Sequence, residues 1–149
     1  MEGGGVISLD IYKSIIESSP AGYAYHKIIL DENNSPCDYE FIDINGAFEN
    51  FTGLKRSDIL GKNISEVSPD IKKSEFNWIK SYGNIAINGG SEEFEQFSEP
   101  LNRWYKVKVY SPEKYYFITH FIDITKEKGQ ITEMIKLVEL SKDAQLSVD

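Results

Sequence analysis

The chain has 149 residues, the size of a single domain, and 24 acidic against 16 basic side chains give it a net charge of −8. This charge disfavours nucleic acid as a partner, and the single cysteine excludes an internal disulfide. A hydrophobic content of 40% is typical of a packed globular domain. No apolar run approaches the roughly 20 residues of a membrane span. We therefore expect a cytoplasmic protein with no membrane segment in this part of the chain.

The first part of the chain predicts a glycine-rich leader, a helix and two strands. The helix, expected over residues 8–18, carries its apolar residues on one stripe: Leu9, Tyr12, Ile15 and Ile16. Pro20 ends it. Strand-like runs follow over residues 22–30 and 39–44, and the polar stretch 31–38 joins them as a loop.

The middle of the chain predicts a series of helices. Asn45 is the expected N-cap of the first and Gly53 its C-terminal stop, in preference to the hairpin that an Asn-Gly pair can form. Two more short helices are expected over residues 56–60 and 64–67. The longest helix should span residues 71–87, because apolar side chains recur there every three or four positions: Phe76, Ile79, Tyr82, Ile85 and Ala86.

The remaining sequence predicts an antiparallel meander and an exit helix. Its strands are expected over residues 92–98, 103–110 and 115–124, separated by turns short enough for hairpins. The last strand is apolar on both faces, so its outer face needs a cover from the N-terminal helix or from a second protomer. A helix that Thr125 caps should follow, with a coiled-coil seam at a spacing of seven: Ile124, Ile131 and Val138.

Several local strings, in this order and at these separations, resemble the PAS sensor domain of bacterial sensor histidine kinases and diguanylate cyclases. They are the segments 41–48, 51–62, 94–98 and 103–105, and the string Asp123-Ile124-Thr125 that closes the last strand. Gly46 departs from the pattern, because relatives often carry proline there. The resemblance implies an α+β PAS fold: a single five-stranded antiparallel sheet, helices packed on one face, and flanking helices at both ends.

The resemblance also implies a division of the chain and a function. Residues 1–18 would be a leader and flanking helix, 19–125 the PAS sensor domain, and 126–149 a signalling helix that leads to an output domain outside this sequence. Asp123 and Thr125 would relay the signal into that helix. We expect a module without catalysis of its own, which senses a small ligand or mediates dimerisation as a homodimer, and which acts on a kinase or cyclase domain.

An internal cavity would hold the ligand of such a module. Its expected lining is aromatic, with a polar contact from an asparagine: Trp78, Tyr82, Trp104, Tyr105, Tyr116 and Asn45. An ordinary core filled with aromatic side chains is the alternative for these residues, and asparagine is commoner as a helix cap. The alternative function is a stand-alone small-molecule-binding protein or enzyme that uses the cavity, with His26 or His120 as base.

No cofactor and no metal are expected. Haem-binding relatives take their iron ligand from the long helix, and residues 71–87 contain no histidine. Light-sensing relatives form a flavin–cysteine adduct just after a Gly-x-Asn string, but here Asn63 is followed by Ile64, and Cys37 lies in a predicted loop. Haem and covalent flavin are therefore disfavoured, while a non-covalent small ligand stays open. His26 and His120 are interpreted as structural histidines rather than as metal ligands or pH switches.

Overall fold

The computed structural model describes residues 8–99 and 101–146, with side chains described as far as residue 142. The predicted leader over residues 1–7 lies outside these residues, as does the end of the predicted signalling helix at 147–149. The elements follow in this order: α1 (Leu9–Glu17), β1 (Gly22–Leu30), β2 (Pro36–Ile44), α2 (Gly46–Thr52), α3 (Arg56–Ile59), α4 (Ile64–Val67), a 3₁₀ helix (Pro69–Lys73), α5 (Trp78–Asn88), β3 (Ser91–Ser98), β4 (Arg103–Tyr110), β5 (Tyr116–Asp123) and α6 (Thr125–Leu146).

The strands form one antiparallel sheet of five strands in the order β2-β1-β5-β4-β3. The first and last strands are therefore neighbours at its centre. Helix α5 lies across one face of the sheet, where it contacts β1, β2, β4 and β5. Buried residues of both layers form the core: Ala24, Ile28, Val109 and Phe117 from the strands, and Ile79, Tyr82, Ile85 and Ala86 from α5. The predicted α+β fold, with helices at both ends of the chain, is confirmed.

The close approach of α5 to the sheet depends on Gly83. A Cβ atom at this position would lie only 2.3 Å from Cγ of Pro36 at the start of β2. No larger side chain fits there without a shift of the helix or the strand. Gly83 therefore sets how closely the helix layer packs on the edge of the sheet.

The sequence prediction is confirmed for the first short helix and wrong for the start of the longest one. Asn45 caps α2 by accepting the N–H of Phe48 at 3.0 Å, and Gly53 ends the helix with a φ of 75°. The longest helix of the middle region begins at Trp78 instead of residue 71, because the Asn77 side chain accepts the N–H of Lys80 and starts a new helix. The preceding apolar residues belong to the 3₁₀ helix and an irregular segment.

The ends of two predicted strands also differ from the structure. Strand β2 begins at Pro36 instead of residue 39, because pairing with Leu30 continues past an irregularity in the register. Strand β5 begins at Tyr116, one residue later than predicted, since Tyr115 adopts a left-handed φ of 77°.

The outer face of the sheet has no cover from α1. No residue of α1 is buried, and its apolar stripe is exposed. On β5, Phe117 and Thr119 are fully buried on the inner face, whereas Ile122 is 41% exposed on the outer face. The expectation that α1 covers its own sheet is therefore wrong, and a cover from a second protomer stays a prediction. Within the described part of the chain, no helix combines the length and the hydropathy that crossing a bilayer requires.

Candidate functional site

A cavity of about 940 Å³ lies between the inner face of the sheet and the helices that pack on it. Its aromatic lining comes from α2, the segment that precedes α5, α5 itself and four of the strands: Tyr39, Phe48, Phe51, Phe76, Trp78, Tyr82, Phe97, Tyr105 and Phe121. The volume falls within the range of roughly 300–1,000 Å³ that small-molecule sites occupy. This cavity is the candidate functional site, referred to below as the aromatic cavity.

One wall of the aromatic cavity comes from the start of α5. Trp78 and Tyr82 are four residues apart and so lie on the same face of the helix, with ring centroids separated by 5.7 Å. Phe76 precedes the helix and meets Trp78 edge to face at 4.6 Å. Because Asn77 starts the helix between Phe76 and Trp78, this cap fixes how the three rings stand to one another.

The opposite wall combines the sheet with α2. Tyr105 on β4 and Phe121 on β5 have their ring centroids 6.2 Å apart. Phe48 packs 5.9 Å from Phe121, and Phe51 packs 6.0 Å from Tyr105. Asn45 positions this wall indirectly, because it caps α2 and thereby fixes the helix that carries both phenylalanines.

Hydroxyl and amide groups supply the polar lining of the cavity: Thr52, Ser68, Ser74, Gln96 and Ser98. Tyr82 is only 3% exposed and adds a phenolic hydroxyl to the lining. Burial, followed by the charge of Tyr39, raises the pKa of Tyr82 well above its usual value, so this hydroxyl stays protonated at neutral pH. It can both donate and accept a hydrogen bond within the cavity.

Charged side chains border the cavity where the 3₁₀ helix faces the β3–β4 turn: Asp70, Lys73, Glu75 and Glu99. Lys73 lies 3.2 Å from a carboxylate oxygen of Asp70, and both side chains are highly exposed. Among the described residues, no cation pairs with Glu75 or Glu99. The border of the aromatic cavity is therefore acidic.

Only part of the predicted aromatic lining is brought together. Trp78, Tyr82 and Tyr105 line the cavity, whereas Trp104 and Tyr116 do not. Side chains of a strand alternate between its two faces. Trp104 therefore lies on the other face of β4 from Tyr105, and Tyr116 lies on the other face of β5 from the buried Phe117. The prediction therefore took residues from both faces of the meander.

The Asn45 side chain is 1% exposed and forms hydrogen bonds with backbone groups instead of lining the cavity. Its Oδ1 accepts the N–H groups of Tyr23 and Phe48, and its Nδ2 donates to the carbonyls of Ile16 and Ala21. With Arg56, whose side chain donates to Glu17 and to the carbonyl of Ile44, it ties the end of α1 to the sheet and to α2. Asn45 therefore caps α2 and joins α1 to the sheet, in agreement with the alternative that asparagine is a helix cap.

Several lining residues were absent from the predicted set. Phe48 and Phe51 are three residues apart on a helix that was predicted, and that spacing was the available signal for a shared face. On β3, Gln96 follows Phe94 by two residues, which places both on the inner face of the strand. The lining from residues 71–76 had no signal, because the sequence predicts a regular helix there.

Neither histidine lies along the aromatic cavity. His26 is 3% exposed in the core, stacked on Phe117 at 4.6 Å, with Nε2 3.2 Å from Oγ1 of Thr119. Burial lowers the pKa of His26 to about 3. His120 lies on the outer face of the sheet, 4.8 Å from the ring of Tyr23, and burial followed by Lys108 lowers its pKa. These positions give no support to a histidine base for chemistry in the cavity.

The cavity lining does not fit a histidine-ligated haem or a flavin–cysteine adduct. The described residues that line it include no histidine and no cysteine. Cys37 lies on β2, where its Sγ is 3.5 Å from the carbonyl of Ile29. Across the described residues, no group of three or more His, Cys, Asp or Glu side chains could hold a metal ion.

A second junction links β4 to the exit helix. The hydroxyl of Thr125 accepts the N–H of Trp104 at 2.9 Å, and the carbonyl of Trp104 accepts the N–H of Ile124. Asp123 accepts the N–H of Thr125 at 2.9 Å. Thr125 is thus the first residue of α6 instead of its N-cap, because its hydroxyl is occupied by β4.

Comparison with known proteins defines the class. The family model of the PAS domain matches residues 10–84, about half of the chain. The chain belongs to the PAS domain family, whose members are generally sensory. A search of curated proteins gives no match.

Solved structures agree on the fold. An RNA-binding light-oxygen-voltage receptor superposes with a TM-score of 0.60 at 14% identity, over 97% of this chain and 42% of that receptor chain. The PAS domain of a protein from Colwellia psychrerythraea superposes with a TM-score of 0.50 at 14% identity, over 79% of this chain and 98% of that one. The chain thus spans less than half of the first of these two proteins.

Proposed function

We propose that this chain is the sensory module of a signal-transduction protein, that it binds a small ligand in the aromatic cavity, and that it transmits ligand binding to an output domain through α6. The observation that carries the proposal is the cavity itself, which has room for a ligand between two aromatic walls and hydrogen-bonding groups beside them. In this division, residues 19–125 sense and residues 126–149 transmit.

The contacts of Trp104 support a route from the cavity to α6. Phe97 borders the cavity on β3, and its ring packs on the outer face of the sheet, with its centroid 5.6 Å from that of Trp104 on the neighbouring strand. The backbone of Trp104 bonds to Ile124 and Thr125, and Nζ of Lys128 lies 4.8 Å above its indole ring. A ligand that shifts β3 at Gln96, which faces the cavity, would therefore move the adjacent Phe97 and alter the surface on which the first turn of α6 rests.

The composition of α6 supports a helix that responds to small energies. Gly129 lowers its helix propensity by about 1 kcal/mol, and beyond the first turn its apolar residues are exposed. A ligand shifts such an equilibrium by its difference in affinity for the docked and undocked states. Modest binding energy would thus be enough to change the population of the docked helix.

Exposed apolar surface at both ends of the chain supports a homodimer. The stripe of α1 and the seam of α6 lack a partner in the single chain, and the outer face of β5 is half-covered. A second copy would cover all three surfaces and place the two α6 helices side by side. In this proposal the module acts as a cytoplasmic homodimer on a kinase or cyclase domain, without catalysis of its own and without a bound cofactor.

A thermal-shift screen of purified chain against small metabolites tests the proposal. We expect at least one compound to raise the melting temperature of wild type but not of Trp78→Ala, because that variant opens one wall of the cavity. Trp104→Ala is the matched control, since this tryptophan lies outside the cavity and its variant should still bind. Hydrogen exchange at residues 126–132 should change when the compound is added.

The screen also separates the two parts of the proposal. If no compound stabilises wild type, the cavity is part of an ordinary core and the module works by protein contacts alone. In that case Trp78→Ala should simply lower stability by roughly 3–5 kcal/mol. If a compound binds but hydrogen exchange of α6 is unchanged, the relay is wrong while ligand binding stands.

A further inference from the structure

We propose that the ligand of the aromatic cavity is an aromatic ammonium ion, a flat apolar ring that carries a protonated amine. This inference rests on the proposed function, because it names the class of ligand for the same cavity. It follows from three features of the cavity taken together: the nature of its walls, a tyrosine hydroxyl on its lining, and the charge at its border.

The walls present aromatic faces and edges on both sides of the ligand. Trp78 and Tyr82 stand on the helical side, and Tyr105 and Phe121 stand on the sheet side. The faces of such rings carry partial negative charge and attract cations within about 6 Å, tryptophan most strongly. The same rings stack on a flat apolar group, so the lining accommodates both parts of an aromatic amine.

The hydroxyl of Tyr82 gives the ligand a fixed polar contact. Tyr82 lines the cavity, and the hydrogen bonds among the described residues leave its hydroxyl available to a ligand. An ammonium group carries N–H donors and no acceptor, so it would donate to this oxygen. Gln96, on the opposite side, offers an amide oxygen as a second acceptor.

The charge at the border selects against anions. Glu75 and Glu99 have no cationic partner among the described residues, and Lys73 is paired with Asp70. A carboxylate or phosphate ligand would meet two uncompensated negative charges on entry and no free positive charge in return. The net charge of −8 adds a long-range attraction for cations.

Isothermal titration calorimetry of the intact chain with three matched probes tests the inference. Tryptamine is the cation, tryptophol replaces its amine with a neutral hydroxyl, and indole-3-propionate carries a carboxylate on the same ring system. We expect tryptamine to bind about tenfold more tightly than tryptophol, in line with a cation–π contribution in a partly desolvated site. Indole-3-propionate should bind more weakly than either.

Charge-removing variants locate the effect. The double variant Glu75→Gln and Glu99→Gln should weaken tryptamine binding about threefold to tenfold and leave tryptophol binding unchanged, since the lost attraction acts only on the cation. Glu92→Gln is the control, because it removes a negative charge from β3, the strand that Glu99 follows, at a position outside the cavity lining. Tyr82→Phe should weaken tryptamine more than tryptophol, since only the hydroxyl is removed.

The outcomes distinguish this inference from the proposed function. Equal or tighter binding of tryptophol or indole-3-propionate would overturn the ligand class and leave the sensory cavity standing. Binding of tryptamine that the double variant and Glu92→Gln weaken equally would also overturn it. If none of the three probes binds, the aromatic ammonium class is wrong. Ligand binding in the proposed function would then fail only if no compound in the thermal-shift screen stabilises the wild type either.

Discussion

His26 occupies an apolar site in which no neighbouring group that the structure describes would stabilise a positive charge on the imidazole. It is packed among the rings of Tyr39, Phe41 and Phe117, and its Nδ1 lacks a hydrogen-bond partner within the described structure. Burial lowers its pKa to about 3, whereas an exposed histidine in the unfolded chain titrates near 6.5. The folded state therefore keeps His26 neutral at pH values where the unfolded state has already bound a proton.

This difference predicts a loss of stability in mild acid. Because the folded pKa is depressed, the unfolded state binds more protons between about pH 6.5 and pH 3, and the free energy of unfolding falls as the pH falls through that window. The loss should approach about 1.4 kcal/mol per pH unit below 6. Urea unfolding of wild type and His26→Leu at pH 7, 6, 5 and 4.5 measures it.

The comparison between the two proteins isolates the contribution of His26 from that of the carboxylates. Wild type should lose stability more steeply than His26→Leu as the pH falls, and the two proteins should differ least near neutral pH. His120→Leu should show a smaller effect, because His120 is only partly buried. Parallel pH profiles for wild type and His26→Leu would show that the imidazole is protonated in the folded state without penalty.

At the scale of secondary-structure elements, the junction between β4 and α6 predicts a specific role for Thr125. The Thr125 hydroxyl accepts the N–H of Trp104, and the carboxylate of Asp123 accepts the N–H of Thr125. Thr125→Val removes the hydroxyl but keeps the shape of the side chain, so it should loosen the first turns of α6. With one hydrogen bond lost, worth about 1 kcal/mol, amide exchange at residues 126–132 should speed up about fivefold.

Thr132→Val is the matched control for this junction. Its hydroxyl bonds only within α6, to the carbonyl of Lys128, and the side chain is exposed. The control should leave both exchange and output unchanged. Asp123→Ala should act in the same direction as Thr125→Val, and in the parent protein both should uncouple ligand from output without unfolding the domain. Equal effects of the Thr125 and Thr132 variants would remove the junction from the relay.

The elements of the fold were predictable where the signal is local. The cap at Asn45, the stop at Gly53 and the turns of the meander each depend on a few neighbouring residues, and the structure contains them. The start of α5 was not predictable from periodicity, because Phe76 fits the helical spacing of Ile79 although Asn77, between them, caps a new helix. Periodicity reports which residues share a face and says little about where a cap divides a segment.

The cavity was less predictable than the elements, for a physical reason. Trp104 and Tyr105 are adjacent in sequence and equally aromatic, and only the pleat of β4 sends one inward and the other outward. Because β5 is apolar on both faces, its pattern did not reveal which face is inside. That assignment needs the sheet order and the position of α5, which are long-range features.

At the scale of the whole molecule, most of the exposed large apolar side chains among the described residues lie on α1 and α6. Most of them form two separate stripes: Leu9, Tyr12, Ile15 and Ile16 on α1, and Ile131, Met134, Ile135 and Val138 on α6. Single exposed apolar residues are ordinary, but stripes at helical spacing are typical of helix–helix contacts. Hydrogen bonds at Asn45 and Thr125 connect both helices to the sheet. A dimer contact at either helix would therefore act on the position of that helix against the sheet.

The dimer contact at α6 leads to the last prediction. Changing both Ile131 and Val138 to Ser should weaken self-association at least about 100-fold, because each protomer loses two buried side chains from the seam. Leu140→Ser is the matched control: Leu140 is 64% exposed in the single chain, comparable to Ile131, but it lies off the seven-residue spacing. Sedimentation velocity over a range of concentrations measures the affinity, and added salt should tighten it, since each protomer carries a charge of −8. A wild type that stays monomeric throughout, or a control that weakens the dimer as much as the double variant, would show that α6 is not the interface.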